Sequence, residues 1–350
     1  MTPGVDCVLI RRFYREWLRT KGRNPVKGLT SSARIIVSKF WGWLPSVVDQ
    51  RVRVIAWLTL VIQIVVVGTG GAVRLTGSGL GCPTWPRCTI DSVVSTPELG
   101  IHGVIEFANR LLTFVIALIA IVAFFYVVRL RKRRRDLFAL SLAIGAGIPA
   151  QAVLGGITVL TGLDPWLVGA HFLLSTIIVT LSTVFVVRAY YGAASHHRVT
   201  PRWFSLECYG AAVLVAASVL LGIVTTGSGP HAGDVNTPRN GFNSEAMQLL
   251  HSYPAYLLLA VTILLVVASR RLKLAPTATY ANLLLLVETA QVVIGIAQAR
   301  LGLPIALVNI HLVLACLLVA AMTAVILSLS LTSLRSPTKQ PERQFAEVKR

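Results

Sequence analysis

Charge is scarce in this chain. Only 13% of its 350 residues are charged, and acids are scarcer still, with 14 Asp and Glu against 33 Lys and Arg. Soluble domains carry about 25% charged residues. That shortage, beside 55% hydrophobic residues, excludes an ordinary water-soluble globule. Cysteine is sparse too, and of the five present only Cys82 and Cys88 share a loop, in GCPTWPRC. Two thiols are fewer than a zinc site needs, whereas a disulfide between them fits a loop on an oxidising side. Cys7, Cys208 and Cys316 are isolated and read as small apolar or tail residues. A cleavable apolar leader is also missing. About fifty polar and basic residues precede the first apolar run, so no signal peptide is expected and the first span is retained.

Long apolar blocks are what the chain does have. Eight of them, near 54–73, 105–128, 137–160, 166–187, 206–225, 246–268, 279–299 and 306–332, each reach the roughly 20 residues that cross a bilayer as a helix. A net charge of +19 would suit nucleic acid if it were spread over one surface, but here it follows loop parity. All but five of the 33 Lys and Arg fall in the first 53 residues, the tail, or alternate loops. The exceptions are Arg74, Arg87, Arg110, Arg239 and Arg300. This asymmetry predicts cytoplasmic termini in the plasma membrane, outward loops at 75–100, 161–165, 226–245 and 300–305, and no nucleic-acid partner. Within the basic leader, 34–48 mixes Phe40, Trp41 and Trp43 with Lys39. It reads equally as an interfacial helix or a solvated tail.

The two halves repeat at an offset of about 140 to 150 residues. Thr76-Gly77-Ser78-Gly79 after the first span matches Thr226-Gly227-Ser228-Gly229 after the fifth. Gln151-x-x-x-Gly155 with His171 matches Gln291-x-x-x-Gly295 with His311, and each histidine follows its glutamine by 20 positions. Glu106-x-x-Asn109 matches Gln248-x-x-His251. The expected fold is therefore all-α and membrane-integral, with two tandem four-helix bundles related by a pseudo-twofold axis along the membrane normal. The expected layout is a basic segment at 1–53, a bundle at 54–190, a linker at 191–205, a second bundle at 206–332 and a tail at 333–350.

The repeat brings polar groups to equivalent depths near the outward ends. His251 and His311 would face each other, and two neutral imidazoles from different helices are what bis-histidine ligation of a heme requires. The plain alternative is a hydrogen-bonded pair joining helices, and it applies more strongly to His171 alone. His196 and His197 read as solvated, and His102 and His231 as loop residues. Glu106 shares a helix face with Asn109 and can pair with Arg110. It is either a proton donor and acceptor in the first pocket or half of an ion pair seating its helix. Arg74, Arg110 and Arg300 stand near the pockets, where arginine would match carboxylates or anchor helix ends.

At GGAVRLTGSGLGCPTWPRC, followed by IEFANR, QAVLGGITVL and GAHF, the chain resembles the heme A synthase (CtaA) family over roughly residues 54–330. The resemblance implies an oxidoreductase that converts a methyl group of heme O to a formyl group by successive hydroxylations and loss of water, giving heme A for cytochrome c oxidase. It implies heme b as cofactor on His251 and His311, with Gln248, Gln291 and Arg300 around it. It implies a substrate pocket of His171, Asn109, Arg110, Arg74 and Gln151, with Glu106 as the catalytic acid, and a Cys82–Cys88 disulfide. Implied partners are heme O, membrane lipid, heme O synthase and oxidase assembly factors. Two positions depart from the family: Asn109 stands where histidine is common, and the second outer loop, SGPHAGD, lacks a cysteine pair. A heme b electron-transfer protein is the competing reading, though it calls for four good ligands. A transporter ranks below both, because the spans lack polar interruptions at mid-depth.

Overall fold

A computed structural model describes residues 31–191, 200–234 and 236–331. The described residues fall into two compact units, divided after Ser46. In the first, helix α1 (Ser31–Trp43) carries exposed Ile35, Phe40, Trp41 and Trp43. Cys7, His196, His197 and the tail 333–350 lie outside the described residues.

Among its described residues the second unit holds eight helices long and apolar enough to span a bilayer. They are α2 (Gln50–Leu75), α3 (Gly100–Val128), α4 (Arg135–Leu160), α5 (Pro165–Tyr191), α6 (Arg202–Ser228), α7 (Ser244–Arg271), α8 (Ala275–Arg300) and α9 (Ile305–Leu331). Each overlaps one expected apolar block, with polar turns added at the ends. Capping explains several boundaries: Asp49 Oδ1 accepts from Val52 N at the start of α2, Asp164 Oδ1 from the first amides of α5, and Asn243 Oδ1 from Ala246 N at α7. Large exposed side chains such as Phe114, Val213, Leu206 and Leu286 cost little against lipid, where they would be intolerable in water.

Helices α2 to α5 pack as a closed ring, and α6 to α9 form another; α2 meets α9, α5 meets α6, and α5 crosses α9 between the rings. This pattern maps onto itself when the two sets of four are exchanged. The backbone repeats as well. Gly162-Leu163 after α4 and Gly302-Leu303 after α8 both have positive φ, 64° and 62° against 74° and 61°, so each half turns the same tight corner.

The TGSG motifs are not structural twins, as their sequence had suggested. α2 stops at Leu75 and Gly77 adopts φ 67°, whereas α6 runs on through Ser228. Gly227 is there a packing glycine, with Asn240 Nδ2 and Pro165 Cβ about where a methyl would go. His102, expected in a loop, lies in the first turn of α3.

Apolar cores fill only one half of each ring. Val52, Ile55, Val127, Leu137, Ile178 and Phe185 form the first, and Phe204, Val215, Leu265, Leu284 and Val325 the second. Both lie toward the face bearing Arg129–Arg135 and Arg270–Lys273, here called the basic face. The opposite half of each ring, toward the disulfide face with loops 76–99 and 229–243, holds Glu106, Asn109, His171, His251 and His311.

Candidate functional site

In the second ring His251 on α7 faces His311 on α9, with ring centroids 6.3 Å apart and planes at 80°. Each ring is braced by a glycine on a neighbouring helix. A methyl at Gly222 would stand 3.0 Å from His251 Cε1, and one at Gly295 3.2 Å from His311 Cε1. The Nδ1 atoms of both rings are buried without a partner among the described residues. Gln291 Nε2 lies 3.3 Å from His311 Nε2. An amide nitrogen can only donate, so that ring nitrogen accepts and keeps a lone pair, the form in which imidazole binds metals. Two metal–imidazole bonds of about 2 Å, collinear through the metal, place ring centroids roughly 6 Å apart. Among the described residues no three His, Cys, Asp or Glu gather as a metal cluster. Two facing imidazoles thus suit a metal that arrives with its other ligands, as a porphyrin iron does.

The first ring offers a different pair. His171 on α5 has Gly155 beside it, where a methyl would lie 3.1 Å from Cε1, and its Nδ1 is likewise buried and unpartnered among the described residues. Gln151, the repeat mate of Gln291, does not touch the ring; its Nε2 donates to Ser175 Oγ at 2.6 Å and to the His171 carbonyl at 3.2 Å. Asn109 accepts at Oδ1 from Thr69 Oγ1 at 2.8 Å. An amide therefore stands where the other half has a histidine.

Glu106 is 5% exposed and its carboxylate is fully engaged. Oε2 accepts from Cys82 N at 2.6 Å, and Oε1 from Arg110 Nε at 3.1 Å and Nη2 at 2.5 Å. Arg110 also donates to the carbonyls of Cys82, Thr84 and Arg87. Cys82 and Cys88 form a disulfide, both fully buried. The acid and the arginine together clamp the disulfide loop to α3, and Trp85 of that loop lies against Gly156 on α4.

A family described as cytochrome oxidase assembly protein, COX15-CtaA, matches residues 53–323. The chain belongs to the COX15-CtaA family. Proteins named heme A synthase from Alkalihalophilus pseudofirmus, Listeria monocytogenes and Bacillus mycoides are similar to it. The first is 26% identical over 148 residues, covering 42% of this chain and 49% of that protein. The Listeria protein is 34% identical over 126 residues, covering 34% and 39%, and the Bacillus protein 32% identical over 133 residues, covering 36% and 41%. The chain thus spans about half or less of the length of these curated relatives.

The remaining residues expected around the pockets of this COX15-CtaA member differ in their surroundings. Gln248 and Arg300 are exposed. Arg74, expected in the first pocket, reaches across the seam and donates from Nη2 to Thr226 O at 2.9 Å, at the end of α6. The bracing Gly222 escaped the sequence reading; its counterpart in the first half is Gly70, where a methyl would lie 4.0 Å from Asn109 Nδ2. Glu288 was also missed. It sits midway along α8, 2% exposed, and among the described residues neither carboxylate oxygen has a hydrogen-bond partner. It corrects the expectation that the spans carry no polar interruption at mid-depth.

Proposed function

We propose that the chain is a heme A synthase of the plasma membrane with both termini cytoplasmic, oxidising a methyl group of heme O to a formyl group for cytochrome c oxidase. The observation that carries this reading is the His251–His311 pair, its centroids 6.3 Å apart, set opposite a half in which Asn109 stands at the position matching His251.

Heme b would be held in the second ring by His251 and His311, and when bound it supplies one-electron redox chemistry. Gly222 and Gly295 leave the rings edge-on room and fix their tilt. Gln291 Nε2, 3.3 Å from His311 Nε2, would give way to the metal there, since one lone pair cannot serve both. In the first ring His171 would hold the substrate from one side, and Asn109, tied to Thr69, would leave the other side without a strong ligand. Such asymmetry suits a resident group in one half and an exchangeable one in the other. Glu106 would act on the proton balance of the first pocket. Its contacts with Cys82 and Arg110 also make it the residue that seats the disulfide loop over the pocket.

The test is to extract and chromatograph hemes from cells that make heme O, with and without the chain. A heme A peak that depends on the chain is expected. Bound heme b without that peak would move the function to electron transfer.

A further inference from the structure

Arg74 belongs to the first ring by sequence but is placed at the site of the second. Its acceptor, Thr226 O, lies one helical turn beyond Gly222, to whose carbonyl Thr226 Oγ1 donates at 2.7 Å. Gly222 is the glycine against which the His251 ring lies. Four residues at 1.5 Å each put Thr226 about 6 Å beyond the histidine cradle toward the disulfide face, and the guanidinium lies one hydrogen bond of 2.9 Å past its carbonyl. Its Nε is buried and has no acceptor among the described residues. Loop 229–243 packs on this arginine, a methyl at Gly233 lying 3.7 Å from Arg74 Cγ, and it carries two more basic groups. Arg239 donates to Thr237 O and Pro230 O, closing the loop on itself. His231 titrates below its ordinary range, through partial burial first and then through the charges of Arg74 and Arg239. The loop's acid, Asp234, turns Oδ1 to the amide of Asn236. Among the described residues the salt bridges are Arg51–Asp49, Arg110–Glu106 and Arg134–Asp136, so none neutralises this trio. Arg110 offers the contrast: Nε, Nη1 and Nη2 all donate within its own half.

We propose that Arg74, with Arg239 and His231, forms a carboxylate site that anchors the propionate side chains of a tetrapyrrole held by His251 and His311, so that the first half completes the cofactor site of the second. Arginine pairs with a carboxylate through two parallel hydrogen bonds, and the orphaned Nε is one of the donors such a pair uses. This inference rests on the heme reading of the histidine pair.

The experiment is reconstitution of the full chain, produced under heme limitation and purified in detergent, with hemin or with hemin dimethyl ester, which keeps the iron and macrocycle but lacks both carboxylates. The wild type is expected to bind the diacid roughly tenfold or more tighter than the ester, the scale of one charge-assisted hydrogen bond. Arg74→Gln should lower diacid affinity to near that of the ester, leave ester affinity unchanged and keep the low-spin spectrum of two imidazoles. Arg239→Gln, altered on an exposed loop residue, should act in the same direction more weakly. Equal binding of diacid and ester by the wild type, or equal loss of both in Arg74→Gln, would overturn the proposal. So would loss of co-purifying anionic lipid in Arg74→Gln with heme discrimination intact, since the site would then take lipid phosphate. If neither heme gives a low-spin spectrum dependent on His251 and His311, the heme reading itself fails.

Discussion

Replacing Gly222 or Gly295 by alanine sets two opposed effects against each other. In an exposed helix the change stabilises by about 0.5–1 kcal/mol, because glycine loses more backbone freedom than alanine on folding. Here the added methyl would lie 3.0 Å from His251 Cε1 or 3.2 Å from His311 Cε1. Relaxed carbon contacts sit at about 3.5–4.0 Å, so each ring must retreat by roughly half an ångström or tilt. Overpacking of this kind costs about 1–3 kcal/mol, and the ligand-free protein can meet it by turning the ring. The metal-bound protein cannot, because ligation fixes both rings. The penalty should therefore appear as heme affinity, about 5- to 150-fold weaker, while the melting temperature of the heme-free protein is unchanged or raised. Gly145→Ala and Gly210→Ala are the controls, since nothing lies within 4 Å of a methyl at either position. Heme titration followed by absorbance, with melting curves for all four variants, measures the difference. Wild-type heme affinity in Gly222→Ala would refute the view that the glycines set the imidazole geometry.

Purified His171→Ala should retain its low-spin heme, whereas His251→Ala and His311→Ala should lose it; equal loss in all three would contradict the division of roles between the rings. Glu106→Ala removes the acceptor of Cys82 N and of Arg110, so the Cys82–Cys88 bond should become several-fold faster to reduce and alkylate, with Glu106→Gln intermediate; heme A formation should fall in both. Glu288→Leu should be neutral or stabilising by about 1–2 kcal/mol, read as an equal or higher Tm of the heme-loaded protein. A lower Tm would mean that the carboxyl gains a partner on loading.

Hydropathy reveals the spans so directly because hydrocarbon leaves a backbone few choices besides the helix. The repeat adds the histidines and glutamines, since equal spacing on equal helices gives equal depth. What spacing does not encode is direction around the helix and contact between distant segments. Gln151 and Gln291 occupy matching positions, yet one bonds a backbone carbonyl and the other an imidazole. Arg74 was assigned by its neighbours in sequence, but a side chain at the last turn of a helix reaches across a seam as easily as into its own ring. The pairing of Glu106 with Arg110 was legible from an i,i+4 spacing; its bond to Cys82 depends on how a loop of some two dozen residues folds back. Glu288 was visible in LLLLVETAQVV, but one acid in a long apolar run leaves the span signal intact and so drew no notice.

The two disulfide-face loops are joined backbone to backbone, Gly79 N donating to Gly233 O at 2.9 Å, over Leu163, whose Cδ1 lies where a methyl on either glycine would go. Such a stitch reads no side-chain identity beyond the need for bare α-carbons. The duplicated halves are thereby free to diverge in sequence, one trading histidine for asparagine, while staying in register. Alanine at either glycine would wedge that joint apart, and the injury would reach both sites at once although neither residue belongs to either.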